Sequence, residues 1–130
     1  MSKLVLPFGG VALRPLMVEE AELTDERIRA KGLKQVSMTS RETSDVVMMG
    51  MGAYSPISGF MGYDDWYSVC QDMQTNGGLF WPIPITLSCS SEEAESIDVG
   101  EEISLVDGES STIMAILEVV EKYTIDKAFE

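Results

Sequence analysis

The sequence predicts an α+β domain in which short helices alternate with short strands. Helical spacing of apolar residues occurs only in short segments, and two segments rich in β-branched residues flank an Asp107-Gly108 turn. No repeat or low-complexity tract interrupts the 130 residues, a length that fits one domain. Short helices interleaved with short strands are typical of the α+β class.

The first half of the chain is expected to alternate strand and helix. In chain order we expect a strand over residues 3–6, a helix over 19–31, an extended segment over 33–38 and a helix over 40–49. Gly32 and Gly50 stand where these two helices should end. Thr39 and Glu42 have the spacing of a capping box, which predicts the start of the second helix.

The second half is expected to hold one longer helix, a strand, an acidic helix and a strand pair. A helix over residues 64–74 is predicted by an apolar stripe of Trp66, Val69, Cys70 and Met73, and the segment 76–78 (Asn-Gly-Gly) predicts a turn. The remaining predictions are an edge strand over 83–88, a helix over 91–97, and paired strands over 102–106 and 112–120.

The segment 50–61 (Gly-Met-Gly-Ala-Tyr-Ser-Pro-Ile-Ser-Gly-Phe-Met) is the most informative part of the chain. It carries no charge, although generic solvent loops are polar and charged, and it contains two aromatic residues. Such a loop should pack against something. Its methionines fit either a core or an adaptable contact surface, since Met is common in both.

A longer ordered pattern around this loop resembles the N-terminal domain of ATP sulfurylase (sulfate adenylyltransferase). The matching residues are Ser40-Arg41, Asp45, Met48-Met49-Gly50, Tyr54-Ser55-Pro56 and Gly59-Phe60-Met61. Residues 3–7, with Gly9-Gly10 and Leu13, look like the amino-terminal signature of that family, although Phe8 stands where the family usually has His. Residues 81–87 and 123–127 are similar to two further family segments.

The resemblance implies a PUA-like pseudo-β-barrel with short peripheral helices, formed by residues 1–130 as a single N-terminal domain. It also implies that the catalytic domain lies outside this chain. The full-length enzyme would interconvert ATP plus sulfate with adenylyl sulfate plus pyrophosphate, using ATP and magnesium. As partners the resemblance implies the catalytic domain or another subunit, and a homo-oligomer at full length.

The chain itself offers few groups for catalysis. It contains no His, the commonest general base and metal ligand. The three catalytic motifs of the family, Gln-x-Arg-Asn, His-x-x-His and Gly-Arg-Asp, do not occur. We therefore expect no catalytic residue, no metal ligand and no bound cofactor in these 130 residues, and no enzymatic activity from them alone.

The candidate functional residues lie instead in and beside the uncharged loop. We expect this loop to be a docking surface, formed by Tyr54, Ser55, Pro56, Ile57, Phe60 and Met61. Arg41 adjoins the loop, where it is either an ordinary surface residue or the partner of an acid or a bound anion. A cation at a helix start is mildly unfavourable with the helix dipole, which favours a specific partner.

The charge distribution argues against two classes of partner. The net charge is −13, and no Lys or Arg occurs between Glu42 and Glu121. Nucleic acid and anionic membranes both require clustered cations, so neither is expected as a partner. Cys70 and Cys89 are expected to be buried free thiols, with a disulfide as the alternative, and we expect a cytoplasmic protein because the chain lacks a signal-peptide pattern. The alternative function is a free-standing acidic PUA-like binding domain without activity.

Overall fold

Helices and strands alternate in the computed structural model, which describes residues 15–125. A 3-10 turn over Glu20–Glu22 leads into the first helix. The helices are α1 (Leu23–Lys31), α2 (Ser40–Met51), α3 (Tyr63–Asp72) and α4 (Ser91–Ser96), and the strands are β1 (Lys34–Met38), β2 (Glu102–Asp107) and β3 (Ile113–Glu118). The predicted α+β class is confirmed.

The three strands form one mixed sheet in the order β1-β2-β3. β1 runs parallel to β2, with Val36 opposite Leu105, and β2 pairs antiparallel with β3 in a hairpin. A register shift between Leu105 and Val106 interrupts this second pairing. Within residues 15–125 the sheet does not close on itself, so the finer expectation of a pseudo-barrel is not confirmed.

The apolar interior consists of two clusters that meet at one aromatic side chain. The first cluster lies on the sheet and contains Val36, Met38, Ile97, Ile103, Leu105 and Val119. The second lies between α2 and α3 and contains Met49, Met61, Val69 and Ile85. Phe60 is half-buried and packs against both clusters. The uncharged loop therefore contributes to the interior of the domain.

Helix α2 begins as predicted and ends two residues later than predicted. The Thr39 hydroxyl accepts a hydrogen bond from the Glu42 amide, and the Glu42 carboxylate accepts one from the Thr39 amide. The helix continues past Gly50 to Met51, and the left-handed residue that ends it is Gly52, with a φ of 80°. Because two glycines stand in this region, the sequence did not decide which of them ends the helix.

Two further predictions in the second half were wrong in part. Residues 83–88 do not form a strand, since Pro82 and Pro84 remove amide donors at the point where pairing would begin. The stripe predicted for α3 is buried at Trp66 and Val69, but Met73 lies after the helix, with a φ of 53°, and is exposed. A left-handed C-cap therefore removes Met73 from the buried face.

The remaining predictions concern turns, thiols and segments at the two ends. The turn after Thr75 forms, with the Gly78 amide donating to the Thr75 carbonyl at 2.8 Å. Burial was expected for both cysteines, but Cys70 is half-buried and Cys89 is exposed. The predicted strand over 3–6, the position of Phe8, and residues 126–127 lie outside the described residues.

Candidate docking surface

The N-terminal half of α2 anchors the irregular segment that follows Trp81. Glu42 is 1% exposed, and its Oε2 accepts hydrogen bonds from the amide of Ser88 at 2.6 Å and from the Ser88 hydroxyl at 2.8 Å. Its Oε1 accepts the capping bond from the Thr39 amide. One buried carboxylate thus caps α2 and fixes residue 88 against it.

The uncharged loop is held at both of its ends by hydrogen bonds to backbone carbonyl groups. The Ser55 hydroxyl donates to the Gly52 carbonyl at 2.6 Å, next to the cis Ser55–Pro56 peptide bond. At the other end the Met61 amide donates to the Ile85 carbonyl at 2.7 Å, and the Tyr123 hydroxyl donates to the Met61 carbonyl at 2.6 Å. These bonds place the loop beside residues 81–85.

An open groove of about 360 Å³ lies between α2, the loop and the proline-containing segment. Its lining is mostly apolar and aromatic: Arg41, Asp45, Tyr54, Trp81, Pro82, Ile83, Pro84 and Ile85. The rings of Tyr54 and Trp81 meet edge to face, with their centroids 5.7 Å apart. We call this feature the α2 groove.

The floor of the α2 groove contains a buried hydrogen bond between ionisable groups. The Tyr54 hydroxyl donates to Oδ1 of Asp45 at 2.9 Å, and Asp45 is 6% exposed. Burial, together with the neighbouring Asp45 carboxylate, raises the pKa of the Tyr54 phenol, because both disfavour its anionic form. Tyr54 therefore acts as a hydrogen-bond donor at neutral pH.

Arg41 lies at the margin of the α2 groove. Its Nη2 donates to the Thr86 carbonyl at 3.4 Å, and the side chain is otherwise exposed. Its positive charge lowers the pKa of the Tyr54 phenol, whereas Asp45 raises it. Among the described residues no ion pair within 4.0 Å involves Arg41.

The structure divides the six predicted docking residues between the interior and the surface. Ser55 and Met61 are buried within the domain, whereas the other four are half-buried: Tyr54, Pro56, Ile57 and Phe60. Only Tyr54 among the six lines the α2 groove. A docking role for the set remains a prediction.

Sequence reasoning missed two parts of this surface. The sequence indicates Asp45 only as a match to the family pattern. Its burial has no sequence signal, because an isolated carboxylate on a helix is usually exposed. Ile83 is 60% exposed in a segment that was predicted as an edge strand, and the 55% exposed Phe80 precedes that segment. The Trp-Pro-Ile-Pro spacing was the available signal, because its prolines prevent regular pairing.

The described residues do not form a site that fits magnesium. No group of three or more His, Cys, Asp or Glu side chains in this part of the chain is arranged to hold a metal ion. The helices within residues 15–125 are all too short or too polar to cross a bilayer.

The fold and the sequence together define the class of domain. A family model described as "PUA-like domain" matches residues 5–130, and the chain belongs to that family. The resemblance to sulfate adenylyltransferase is also confirmed. The chain is 52% identical over its whole length to a sulfate adenylyltransferase of Syntrophobacter fumaroxidans and 51% identical to that of Thiobacillus denitrificans. It is 49% identical, over 98% of its length, to that of Chlorobium chlorochromatii.

These relatives are much longer than the chain. The matched region covers 32% of each of the three proteins, so the chain spans about a third of their length. A similar structure is that titled "Hexameric APS kinase from Thiobacillus denitrificans", with a TM-score of 0.73 and 32% identity. That match covers 88% of this chain and 22% of the other.

Proposed function

We propose that this chain is the N-terminal structural and docking domain of a sulfate adenylyltransferase. The observation that carries the proposal is the match of the entire chain, at about 50% identity, to one third of several proteins with that name. In this proposal residues 1–130 are a single domain, and the catalytic domain belongs to the remainder of a longer polypeptide.

The longer protein would interconvert ATP plus sulfate with adenylyl sulfate plus pyrophosphate, with magnesium as the metal. The residues of this chain would take no direct part in that reaction. The sequence contains no His and none of the three catalytic motifs, which supports a non-catalytic role for these residues. Charge on a polyphosphate is neutralised by clustered cations, and the chain has none between Glu42 and Glu121.

The docking face would be the α2 groove together with the uncharged loop. The exposure of Ile83 in the lining of this groove supports the assignment, since exposed apolar surface around a groove is often covered by a partner. The partner would be the catalytic domain or another subunit. Arg41 would pair with an acidic group of that partner, because its contact with the Thr86 carbonyl is long.

Three finer features belong to the same proposal. The three-stranded sheet would be part of a PUA-like pseudo-β-barrel, which the family match supports. The longer protein would be a homo-oligomer, by analogy with the similar structure whose title describes a hexamer. It would be cytoplasmic, which the free thiol of Cys89 supports.

The test compares the 130-residue chain with the longer protein in an assay of sulfate-dependent pyrophosphate release from ATP and magnesium. The longer protein is expected to be active, and the chain alone is expected to be inactive and to bind no ATP in a calorimetric titration. Pyrophosphate release by the pure chain would refute the structural role. A gene that ends near Glu130 would instead favour a free-standing acidic binding domain.

A further inference from the structure

Asp45 is a buried carboxylate with one oxygen left without a partner. It is 6% exposed, and Tyr54 donates to its Oδ1. Its Oδ2 is buried and accepts no hydrogen bond from any described residue. Buried polar atoms are almost always hydrogen-bonded, so this oxygen calls for a donor that the described structure does not supply.

The neighbouring carboxylate on the same helix shows that this fold can satisfy such a group. Glu42, three residues earlier, is even more deeply buried, and both of its oxygens accept hydrogen bonds. The difference between Glu42 and Asp45 is their location. Asp45 lines the α2 groove, which opens to the surface, whereas Glu42 does not.

The walls of the α2 groove favour a flat cation. The rings of Tyr54 and Trp81 and the side chains of Pro82 and Pro84 form its sides. A guanidinium group stacks on aromatic faces, is more weakly hydrated than an ammonium group and binds a carboxylate through directed N–H donors. Two charged side chains line the groove, Arg41 and Asp45, and only the Asp45 carboxylate can accept hydrogen bonds from such a group.

One wall of the groove is held by few hydrogen bonds. Pro82 and Pro84 have no amide hydrogen, and residues 82–84 make no backbone hydrogen bond within the described part of the chain. Ile83, in the middle of this wall, is 60% exposed. This wall therefore lacks bonds of the kind that fix Ile85 to Met61 and Ser88 to Glu42.

Arg41 is the rival donor from within the chain. It lies four residues before Asp45 on α2, a spacing at which two helical side chains can meet. Its guanidinium group is instead directed to the Thr86 carbonyl, and no ion pair joins it to Asp45. Within residues 15–125 no donor therefore reaches Oδ2 of Asp45.

We propose that the α2 groove receives the guanidinium group of an arginine that lies in the part of the longer protein outside these 130 residues, and that this group donates to Oδ2 of Asp45. The proposal rests on the proposed function, since it requires a longer protein. It deepens that function by naming the chemistry of one docking contact. Asp45 becomes its central residue.

The first experiment uses methylguanidinium chloride as the probe and the 130-residue chain as the receptor. Nuclear magnetic resonance would follow the Trp81 indole N–H during titration at constant ionic strength, with tetramethylammonium chloride as the control salt. We expect saturable binding of methylguanidinium only. Asp45→Asn should weaken it about tenfold or more, because the charged acceptor is lost while an oxygen remains for Tyr54. Asp64→Asn, at an exposed carboxylate outside the groove, should leave it unchanged.

Three results of this titration would overturn the proposal. The wild-type chain could fail to bind the probe, or Asp45→Asn could bind it as well as the wild type does. The probe could also bind only after Arg41→Gln, in which case Arg41 itself fills the site in solution. None of these results depends on adenylyltransferase activity, so they are distinct from a failure of the proposed function.

The second experiment tests the occupant in the longer protein. If an arginine of the remaining polypeptide fills the α2 groove, the longer protein should not bind methylguanidinium at concentrations that saturate the chain alone. Equal binding by both would show that the groove is open in the longer protein and would refute this occupant. Probe binding to the chain that weakens as the protein concentration rises would identify a second copy as the occupant and refute it as well.

Discussion

At the scale of single residues, the Tyr54–Asp45 hydrogen bond is the contact that ties the uncharged loop to helix α2. The two atoms are 2.9 Å apart, and the acceptor is a buried carboxylate that takes no other bond from the described residues. A hydrogen bond to a charged group contributes more to stability than one between neutral groups. Tyr54 should therefore stabilise the domain itself, in addition to any docking role.

Tyr54→Phe is expected to lower the free energy of unfolding by about 1.5–3 kcal/mol at pH 7. The pKa of the Tyr54 phenol is raised in the folded chain, chiefly by burial. The stabilisation is therefore complete below the unfolded pKa of about 10 and is lost as the pH rises through the folded value. Urea unfolding of both proteins from pH 7 to 11 measures this difference. Tyr63→Phe, at a 40% exposed tyrosine, is the control and should show a much smaller effect.

The residues also show what the sequence could and could not predict. The capping role of Glu42 followed from its spacing to Thr39, because the capping box is a local interaction. Its second role, as acceptor for Ser88, joins residues 46 positions apart and has no local signal. The same reason explains why the sequence predicted the candidate site only as the uncharged loop and the adjoining Arg41, without the buried Asp45 carboxylate or the groove.

At the scale of elements, the two capping boxes differ in depth. The box of α2 uses the buried Glu42 and also holds residue 88, whereas the box of α4 joins Ser90 to Glu93 at the surface. Local sequence predicted both helices, although the capping-box spacing was used only for α2. It could not rank them, since their difference comes from tertiary contacts.

Glu42→Gln should destabilise the chain more than Glu93→Gln by about 1–3 kcal/mol in urea unfolding. The glutamine amide would place N–H donors where either Thr39 or Ser88 already donates, so one buried bond must be lost. The exposed Glu93 can exchange its bonds for water. Equal losses of stability for the two variants would contradict the role of Glu42 in anchoring residue 88.

A second test at this scale concerns the turn between β2 and β3. A Cβ atom at Gly108 would lie 2.7 Å from the Met38 carbonyl oxygen, at the end of β1, while a Cβ at Gly59 would meet nothing within 4 Å. Gly108→Ala is therefore expected to cost about 1–3 kcal/mol, because backbone must shift. Gly59→Ala should change stability by less than about 0.5 kcal/mol. Thermal unfolding that ranks the two variants in the opposite order would exclude this contact.

At the scale of the whole molecule, the domain combines an interior that its own residues fill with an apolar face that they leave open. Phe60 belongs to the interior, because it packs against both clusters. Ile83 belongs to the open face, where it is 60% exposed on the wall of the α2 groove. The sequence placed both in apolar segments and could not separate these roles, since hydrophobicity alone does not tell which surface covers a side chain.

This division predicts opposite behaviour for two Asp substitutions. Phe60→Asp should lower the stability of the 130-residue chain by about 3 kcal/mol, because it places a charge between the two clusters. Ile83→Asp should leave that stability unchanged within about 0.5 kcal/mol, because the side chain is already in water.

In the longer protein, Ile83→Asp should speed proteolytic cleavage between this domain and the remainder, since the contact between the two at the docking face is weakened. Val99→Asp, at a 58% exposed residue that does not line the groove, is the matched control. If Phe60→Asp leaves the melting temperature of the chain unchanged, Phe60 is buried at an interface and not in the interior. If the Ile83 variant of the longer protein is cleaved no faster than the Val99 variant, Ile83 does not belong to the docking face.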